Sequence, residues 1–319
     1  MGLLLLCKAS SGLGADAISV APEAVPVQAA SSPRPVAERS PQPVAERHQG
    51  ALYRVRYKDQ LSYLFGTVHV GTSAFYPLAP EVSRALADST RLVVELDTRA
   101  DAAFQQALTT HASYKAGDSI VRHLSPETLA QLTAALHEVG ITLASVSHLK
   151  PWLLANLLMG LELQRNGFER QHGLESHLLA DAQARGSAVA ELESADYQLG
   201  LFDTLGEADG ERYLRESLQD LADGNSLKKA KHLINAWSSG DPVAIDELIT
   251  EATTGDTVVS SFTRRTLLDR RNPEMVSHIV QLMGDSKVTF VGVGVLHLLG
   301  EHGLPQLLSQ RGYQVERIY

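Results

Sequence analysis

The spacing of hydrophobic residues predicts that the folded part of the chain opens with a β-hairpin. Apolar and polar residues alternate over Leu52 to Tyr57, and a more continuous apolar run follows from Leu61 to Val70. Such runs are typical of strands, and the polar residues 58–60 between them predict a turn. We therefore expect folding to begin near Ala51.

Shorter apolar runs predict the remaining strands, and helical spacing fills the intervals. The runs are Arg91 to Leu96, Ala188 to Leu192, Lys287 to Val295 and Tyr313 to Ile318. Ser125 is expected to cap one helix and Gly186 to end another, while a last helix is predicted from Leu298 to Gln310. This order predicts an α/β (α+β) domain over residues 51–319. It has a central mixed sheet flanked by helices, with a large helical insertion at about 195–283, before the last strands.

Residues 1–50 have a different composition from the rest of the chain. They are rich in Ala, Ser, Pro and Val and hold too little apolar surface to fold, so 9–49 is predicted to be a disordered linker. Leu3 to Leu6 and the small-residue pattern at Ala15 to Ala17 resemble the end of a truncated signal peptide or anchor. We therefore expect an extracytoplasmic protein, either periplasmic or secreted. If the protein is tethered to a membrane, we expect the tether at this terminus. A start without functional meaning is the alternative.

Charge and composition exclude several classes of protein. Lys and Arg number 28 against 37 Asp and Glu, a net charge of -9, and no basic run offsets the excess, so a nucleic-acid partner is not expected. A single cysteine excludes an intrachain disulfide and a cysteine-based zinc site. No apolar stretch approaches the roughly 20 residues that cross a bilayer.

Two predicted strands end in the same pattern, Gly-x-x-His. One places His69 three residues after Gly66, and the other places His297 three residues after Gly294. Ligands of α/β sheets bind outside the strand ends, so both histidines are expected at one edge of the sheet. A neutral imidazole there can bind a metal or act as a base, although a single such histidine commonly only hydrogen-bonds to backbone.

Two other predicted strands end in acidic residues, Glu95 with Asp97 and Glu191 with Glu193. Alternation along a strand predicts that each pair faces one side. A carboxylate beside an apolar strand needs a cation or a metal, which makes Glu95 and Glu193 candidate ligands or bases. Acids of an edge strand that face solvent are the alternative.

Three further residues are candidates through their position at predicted helix starts. Asn272 is expected to cap the helix that opens at Pro273, and Arg271 beside it can stabilise an oxyanion. Glu175 can bind a metal or simply favour the start of the next helix. Nucleotide-binding, His-Glu-x-x-His and Gly-x-Ser-x-Gly motifs do not occur in the sequence.

Several separated sequence blocks resemble the TraB/GumN family, which is related to the Tiki proteases. The resemblance covers roughly residues 51–319, and the blocks fall in the family's order. They are residues 64–71, 75–78, 92–97, 173–175, 192–194 with Gln198, 271–275 and 292–300. Two positions depart from the pattern, because Glu175 stands where many relatives have Asp and Val295 where Ala is common.

The resemblance implies a protease that depends on manganese or cobalt and uses both Gly-x-x-His motifs together with acidic residues. His69 and His297 match the motif histidines, and Glu95 matches the acid after the second strand. Further members of the site are matched by Glu193, Arg271 and Asn272.

The predicted function is therefore a metal-dependent hydrolase, in the first place a peptidase acting on a peptide or protein. A divalent manganese, cobalt or zinc ion is expected, because nitrogen and oxygen donors without thiolate suit all three. The predicted metal ligands are His69, His297, Glu95 and Glu175, and the predicted catalytic residues are Glu95, Glu193, Arg271 and Asn272. Two alternatives stay open: a metal-free hydrolase with a histidine base, and a non-catalytic extracytoplasmic module that binds a peptide or polysaccharide.

Overall fold

A computed structural model of the protein describes residues 49–99, 101–284 and 288–319. The strands are β1 (Leu52–Tyr57), β2 (Gln60–Thr67), β3 (Arg91–Val94), β4 (Ala188–Glu191), β5 (Thr289–Gly294) and β6 (Gln314–Arg317). The first helices are α1 (Pro80–Asp88), α2 (Asp101–His111), α3 (Pro126–Glu138), α4 (Leu143–Val146), α5 (Pro151–Arg165) and α6 (Leu174–Arg185). They are followed by α7 (Ala195–Gly200), α8 (Gly206–Ala222), α9 (Asn225–Ser239), α10 (Pro242–Thr253), α11 (Val258–Phe262), α12 (Arg271–Met283) and α13 (Leu304–Gln310).

The strands form one mixed sheet in the order β4-β3-β5-β2-β1-β6. Strands β4, β3, β5 and β2 run parallel, whereas β1 is antiparallel to both β2 and β6. The predicted mixed sheet, its flanking helices and the opening hairpin are thus confirmed. Because the four parallel strands point the same way, the segments that follow them all leave from one edge of the sheet.

The buried apolar residues form two clusters. One surrounds the sheet and includes Phe65, Phe290 and Trp237. The other lies within the helical part, where Trp152 stacks on Phe202 with 4.2 Å between the ring centroids. The second core therefore joins helices that precede the insertion to part of the insertion, whereas other residues of the insertion, such as Trp237, pack into the core of the sheet.

Local signals placed most helix ends correctly. Ser125 caps α3 by accepting a hydrogen bond from the Thr128 N–H, and Gly186 ends α6 in the left-handed conformation with φ 65°. The predicted helix from Leu298 to Gln310 is wrong at its start. The chain forms a 3-10 turn at Val295–Leu298, and α13 begins only at Leu304, after Gly303.

The described fold already includes Gln49, two residues before the start that the sequence predicts at Ala51. Gln49 is buried, and its side chain bonds to the Phe75 carbonyl and the Ala79 N–H. The predicted signal or anchor and the remainder of the linker lie outside the described residues. Among the residues that are described, no helix combines the length and apolar character needed to cross a membrane.

Candidate functional site

The two Gly-x-x-His motifs meet at the edge where the parallel strands β2 and β5 end. Gly294 lies between the two rings: a Cβ atom placed on it would be 3.7 Å from both His69 Nε2 and His297 Cδ2. The same position is 3.2 Å from Glu95 Oε1, at the end of β3. The structure therefore brings together both predicted histidines and one predicted carboxylate around a position without a side chain.

His297 is held by Asn272 on one side and faces Glu95 on the other. Its Nδ1 lies 2.6 Å from Asn272 Oδ1, an oxygen that can only accept, so Nδ1 carries the proton and Nε2 keeps its lone pair. This Nε2 lies 3.7 Å from Glu95 Oε1. Burial lowers the pKa of His297 to about 3, although the Glu95 charge opposes that shift. His297 is therefore a neutral imidazole whose Nε2 can bind a ligand.

His69 is held in a similar way by Glu175. Its Nδ1 lies 2.9 Å from Glu175 Oε1, which also accepts a hydrogen bond from the Thr67 hydroxyl. Burial alone would lower the pKa of His69, but the charge and hydrogen bond of Glu175 raise it above its ordinary value. The structure thus places Glu175 on the Nδ1 side of His69, and the Nε2 atom faces Gly294.

Arg271 joins the other two predicted acids. Its Nη2 donates to Glu95 Oε2 and Glu193 Oε2, both at 2.6 Å, and its Nε donates to Glu193 Oε1 at 2.9 Å. The Gly294 N–H donates to Glu95 Oε1 at 2.6 Å, and the Gln198 amide donates to Glu193 Oε2 at 2.8 Å. All of these side chains are buried. Arg271 is therefore paired with two buried carboxylates at once, and its single positive charge offsets one of their two negative charges.

The charges of this cluster stabilise one another. Burial would raise the pKa of Glu95, but His297, Arg271 and His69 lower it far below its ordinary value. Burial would likewise lower the pKa of Arg271, and the two carboxylates raise it instead. These neighbours therefore favour the ionised form of Glu95.

Asn272 does not cap a helix, so that prediction is wrong. A π-helical segment, Thr263–Arg270, runs directly into α12, and Asn272 lies within the continuous helix. Its side chain turns into the site, where the amide nitrogen donates to the His302 carbonyl at 2.7 Å and the oxygen bonds to His297. Segments of π-helix occur often at functional sites, and this one leads into Arg271 and Asn272.

Only one acid of each predicted pair lies in the site. Asp97 bonds to Arg99, and its backbone N–H donates to Glu191 Oε1 at 2.5 Å. The chain leaves the strand conformation after Val94 and after Glu191, so alternation no longer decides the direction of the later side chains. Glu95 and Glu193, one acid from each pair, are the ones that bond to Arg271.

A small cavity of about 40 Å³ opens beside His69, Glu95 and Glu175. Its remaining wall is formed by Leu96, Thr98, Arg170 and Ser176. Glu175 Oε2 is buried and has no hydrogen-bond partner among the described residues. Within residues 49–99, 101–284 and 288–319, no three His, Cys, Asp or Glu side chains are already arranged to hold a metal ion.

Sequence reasoning did not identify the roles of Thr67, Gln198 and Gly173. Thr67 lies inside the first Gly-x-x-His motif, and Gln198 lies in the first turn of the helix that follows Glu193. Both residues are therefore close in sequence to residues that were already candidates. Gly173 approaches the His69 backbone so closely that a Cβ atom would lie 2.1 Å from the His69 carbonyl oxygen. No local sequence pattern predicts a contact between two backbone segments that are so far apart in the chain.

Comparison with known proteins finds a matching family model and several relatives. The family model of the TraB/PrgY/gumN family matches residues 51–317. The uncharacterized protein YbaP of Shigella flexneri is 27% identical over 250 residues, which are 77% of this chain and 87% of that protein. YbaP of Escherichia coli K12 is 26% identical over 249 residues, with the same coverage.

A more distant relative has a name that states an activity. The metalloprotease TIKI1 of Danio rerio is 24% identical over 309 residues, which cover 81% of this chain and 61% of that protein. No solved structure matches the chain. The match to the family model spans nearly the whole described fold and includes every site residue named above, so the chain belongs to the TraB/PrgY/gumN family.

Proposed function

We propose that this protein is a metal-dependent hydrolase that cleaves peptide bonds. The observation that carries the proposal is the convergence of His69 Nε2, the His297 ring and Glu95 Oε1 on the position of Gly294. The relative named metalloprotease TIKI1 supports hydrolysis as the general class of reaction. The peptide substrate and the identity of the metal are predictions from the sequence.

The side chains in the site have the chemistry that a divalent metal requires. Each histidine uses Nδ1 for a fixed oxygen partner, which leaves Nε2 for the ion, a pattern that is common in metal sites. His297 Nε2 and Glu95 Oε1 are 3.7 Å apart. Two ligands that each lie about 2.1 Å from an ion are separated by roughly 3.4 Å in a tetrahedral site, so this spacing is close to what is needed. The third donor is His69, whose Nε2 lies 3.7 Å from the position that a Cβ atom on Gly294 would occupy.

The proposed ligands are therefore His69, His297 and Glu95. A bound divalent ion lowers the pKa of water and polarises a carbonyl group. Burial keeps His297 neutral, with its proton on the Nδ1 atom that faces Asn272, and Arg271 keeps Glu95 ionised. Both conditions favour binding of a cation at neutral pH.

Glu175 is placed to act as the base. Its Oε1 is occupied by His69 and Thr67, whereas Oε2 lies buried beside the 40 Å³ cavity without a hydrogen-bond partner among the described residues. A cavity of this size admits a water molecule, which needs polar partners of this kind. We therefore assign Glu175 to receiving the proton of an attacking water rather than to binding the metal.

Arg271 and Asn272 act as positioning residues in this proposal. The Arg271 side chain is 3% exposed and is occupied by two carboxylates, so it orients Glu95 and Glu193 and does not reach a substrate oxyanion. Asn272 fixes the ring of His297. Glu193 holds the Arg271 guanidinium in place by accepting from its Nε and Nη2 atoms.

The test is to dialyse the full-length protein against a chelator and then to assay cleavage of an unstructured peptide by mass spectrometry. We expect cleavage to disappear with the chelator, to return with manganese, cobalt or zinc, and to be lost in His69→Ala and His297→Ala. His123→Ala is the matched control, because His123 also contacts two carboxylates but lies outside the site. Cleavage that is unchanged by the chelator would contradict the role of the metal.

A metal-free hydrolase is the second candidate. It is favoured by the lack of a preassembled group of three ligands within the described part of the chain. In that case cleavage would survive the chelator but would still be lost in His297→Ala or Glu175→Gln. A peptide that binds without yielding any product would instead indicate a binding module.

A further inference from the structure

Outside the candidate site, His111 lies between two carboxylates where several helical segments meet. It is the last residue of α2; its Nδ1 lies 2.6 Å from Asp203 Oδ2, and its Nε2 lies 2.9 Å from Asp196 Oδ1. A neutral imidazole has a proton on only one nitrogen and can donate to only one acceptor. Both contacts can therefore be hydrogen bonds only when the ring is protonated.

The segment that carries Asp196 packs directly on the imidazole. Asp196 and Gly200 are four residues apart in α7 and so lie on one face of that helix. A Cβ atom on Gly200 would lie 3.3 Å from His111 Cε1, so the ring rests against this glycine. Lys150, at the start of α5, donates to the other oxygen of Asp203 at 2.7 Å. Among the described residues, the charged groups at the ring are thus two aspartates, with one lysine behind Asp203.

The same short helix holds Glu193 of the candidate site. α7 starts two residues after Glu193, with Ser194 as its cap. Gln198, which is fully buried in α7, donates to Glu193 Oε2 at 2.8 Å. α7 is therefore bonded to His111 through Asp196 and to Glu193 through Gln198. A displacement of α7 must move the carboxylate to which Arg271 is bonded.

We propose that His111 is a positioning residue for Glu193: the protonated ring locks α7 against α2, and loss of the proton releases α7 together with the contact between Gln198 and Glu193. The proposal rests on the proposed function only in treating Glu193 as part of the active site. The lock itself is a property of the folded chain and needs neither metal nor substrate.

The direction of the pH dependence follows from the surroundings of the ring. Burial alone would lower the pKa of His111, but its hydrogen bonds to Asp196 and Asp203 raise it above 6.5. The stabilisation is therefore complete below pH 6.5 and is lost as the pH rises through the pKa of the folded state. Release of one proton changes the equilibrium constant between the held and the released states of α7 by at most about tenfold per pH unit above 6.5.

The test is amide hydrogen exchange of residues 195–200 in the full-length protein between pH 5.5 and pH 9, corrected for the intrinsic exchange rate. We expect protection to fall by up to about tenfold per pH unit above 6.5 in the wild type. His111→Gln should show low protection at every pH, and His111→Arg, a permanent cation with several donors, should keep protection at every pH. His123→Gln is the matched control, since His123 contacts Asp118 and Glu207 but not α7.

Two results would overturn the proposal. One is protection of α7 in His111→Gln that equals the wild type at every pH. The other, which needs no variant, is an NMR titration of the wild-type His111 ring with a midpoint at or below 6.5. If the exchange pattern is as expected but no peptide is cleaved under any condition, the proposed function fails and the lock stands. If peptide is cleaved, kcat should depend on pH less steeply in His111→Arg than in the wild type.

Discussion

Replacement of Gly173 by alanine tests how closely the candidate site depends on backbone packing. Gly173 precedes α6 with φ −68° and ψ 150°, a conformation that alanine adopts freely, so the backbone torsions do not oppose the change. The obstacle is the His69 carbonyl oxygen, 2.1 Å from the added Cβ atom. Since Cβ atoms essentially never come within 3.0 Å of such an atom, the two segments must separate by about 0.9 Å.

This movement separates His69 from the helix that carries Glu175. Misplacement of a catalytic group by about 1 Å can reduce the rate by roughly 100-fold. Overpacking of this kind also destabilises a protein by about 1–3 kcal/mol. We therefore expect Gly173→Ala to lose about two orders of magnitude in kcat/KM for peptide cleavage and to unfold at a lower urea concentration.

The matched control is Gly210→Ala in α8. An added Cβ atom there has no atom within 4 Å, and alanine in a helix is more stable than glycine by roughly 0.5–1 kcal/mol. The control should keep its activity and gain some stability. The reasoning would be refuted if Gly173→Ala and Gly210→Ala had the same kcat/KM and the same urea midpoint, because the close contact with His69 would then have no consequence.

Three further predictions concern the buried charges. Arg271→Met leaves Glu95 and Glu193 unpaired and should lower the free energy of unfolding in urea by about 3–5 kcal/mol; a loss below 1 kcal/mol would contradict this. Because the pKa of Glu95 is lowered, its stabilisation is present above 4.5 and declines as the pH falls below that value, so Tm should drop between pH 5 and pH 3 less steeply in Glu95→Gln. Asn272→Ala frees the ring of His297 and should weaken manganese binding about 10–100-fold by calorimetry; an affinity equal to that of the wild type would contradict the role of Asn272.

The positions of the candidate histidines could be predicted because they depend on local signals and one topological rule. Hydrophobic runs marked the strands before His69 and His297, and parallel strands place their carboxyl ends at one edge. The same rule places Glu95 at this edge, because β3, which precedes it, is parallel to β5. It needed no knowledge of side-chain contacts, which is why a pattern of glycines and apolar runs was enough.

Most side-chain partners could not be predicted in this way, because tertiary packing brings them together from distant parts of the chain. Glu175 meets Thr67 across 108 residues, and Arg271 meets Glu95 across 176. A buried carboxylate requires some cation, and this requirement suggested that Glu95 was paired, but it could not say with which residue. The sequence signal near Arg271 even favoured another answer, a helix start at Pro273 with Asn272 as its cap.

The π-helical segment explains why that local signal failed. A cap is needed only where a helix begins, and the chain is already helical from Val258 to Arg270 before it reaches Asn272. The side chain that would have satisfied a free backbone N–H is thereby released to bind His297. Arg271 and Asn272 are consecutive residues of this continuous helix, so one element sets the charge of Glu95 through Arg271 and the tautomer of His297 through Asn272. His297 Nε2 and Glu95 Oε1, which lie 3.7 Å apart, therefore both depend on this element. A change in the winding of the π-helical segment should disturb both atoms together.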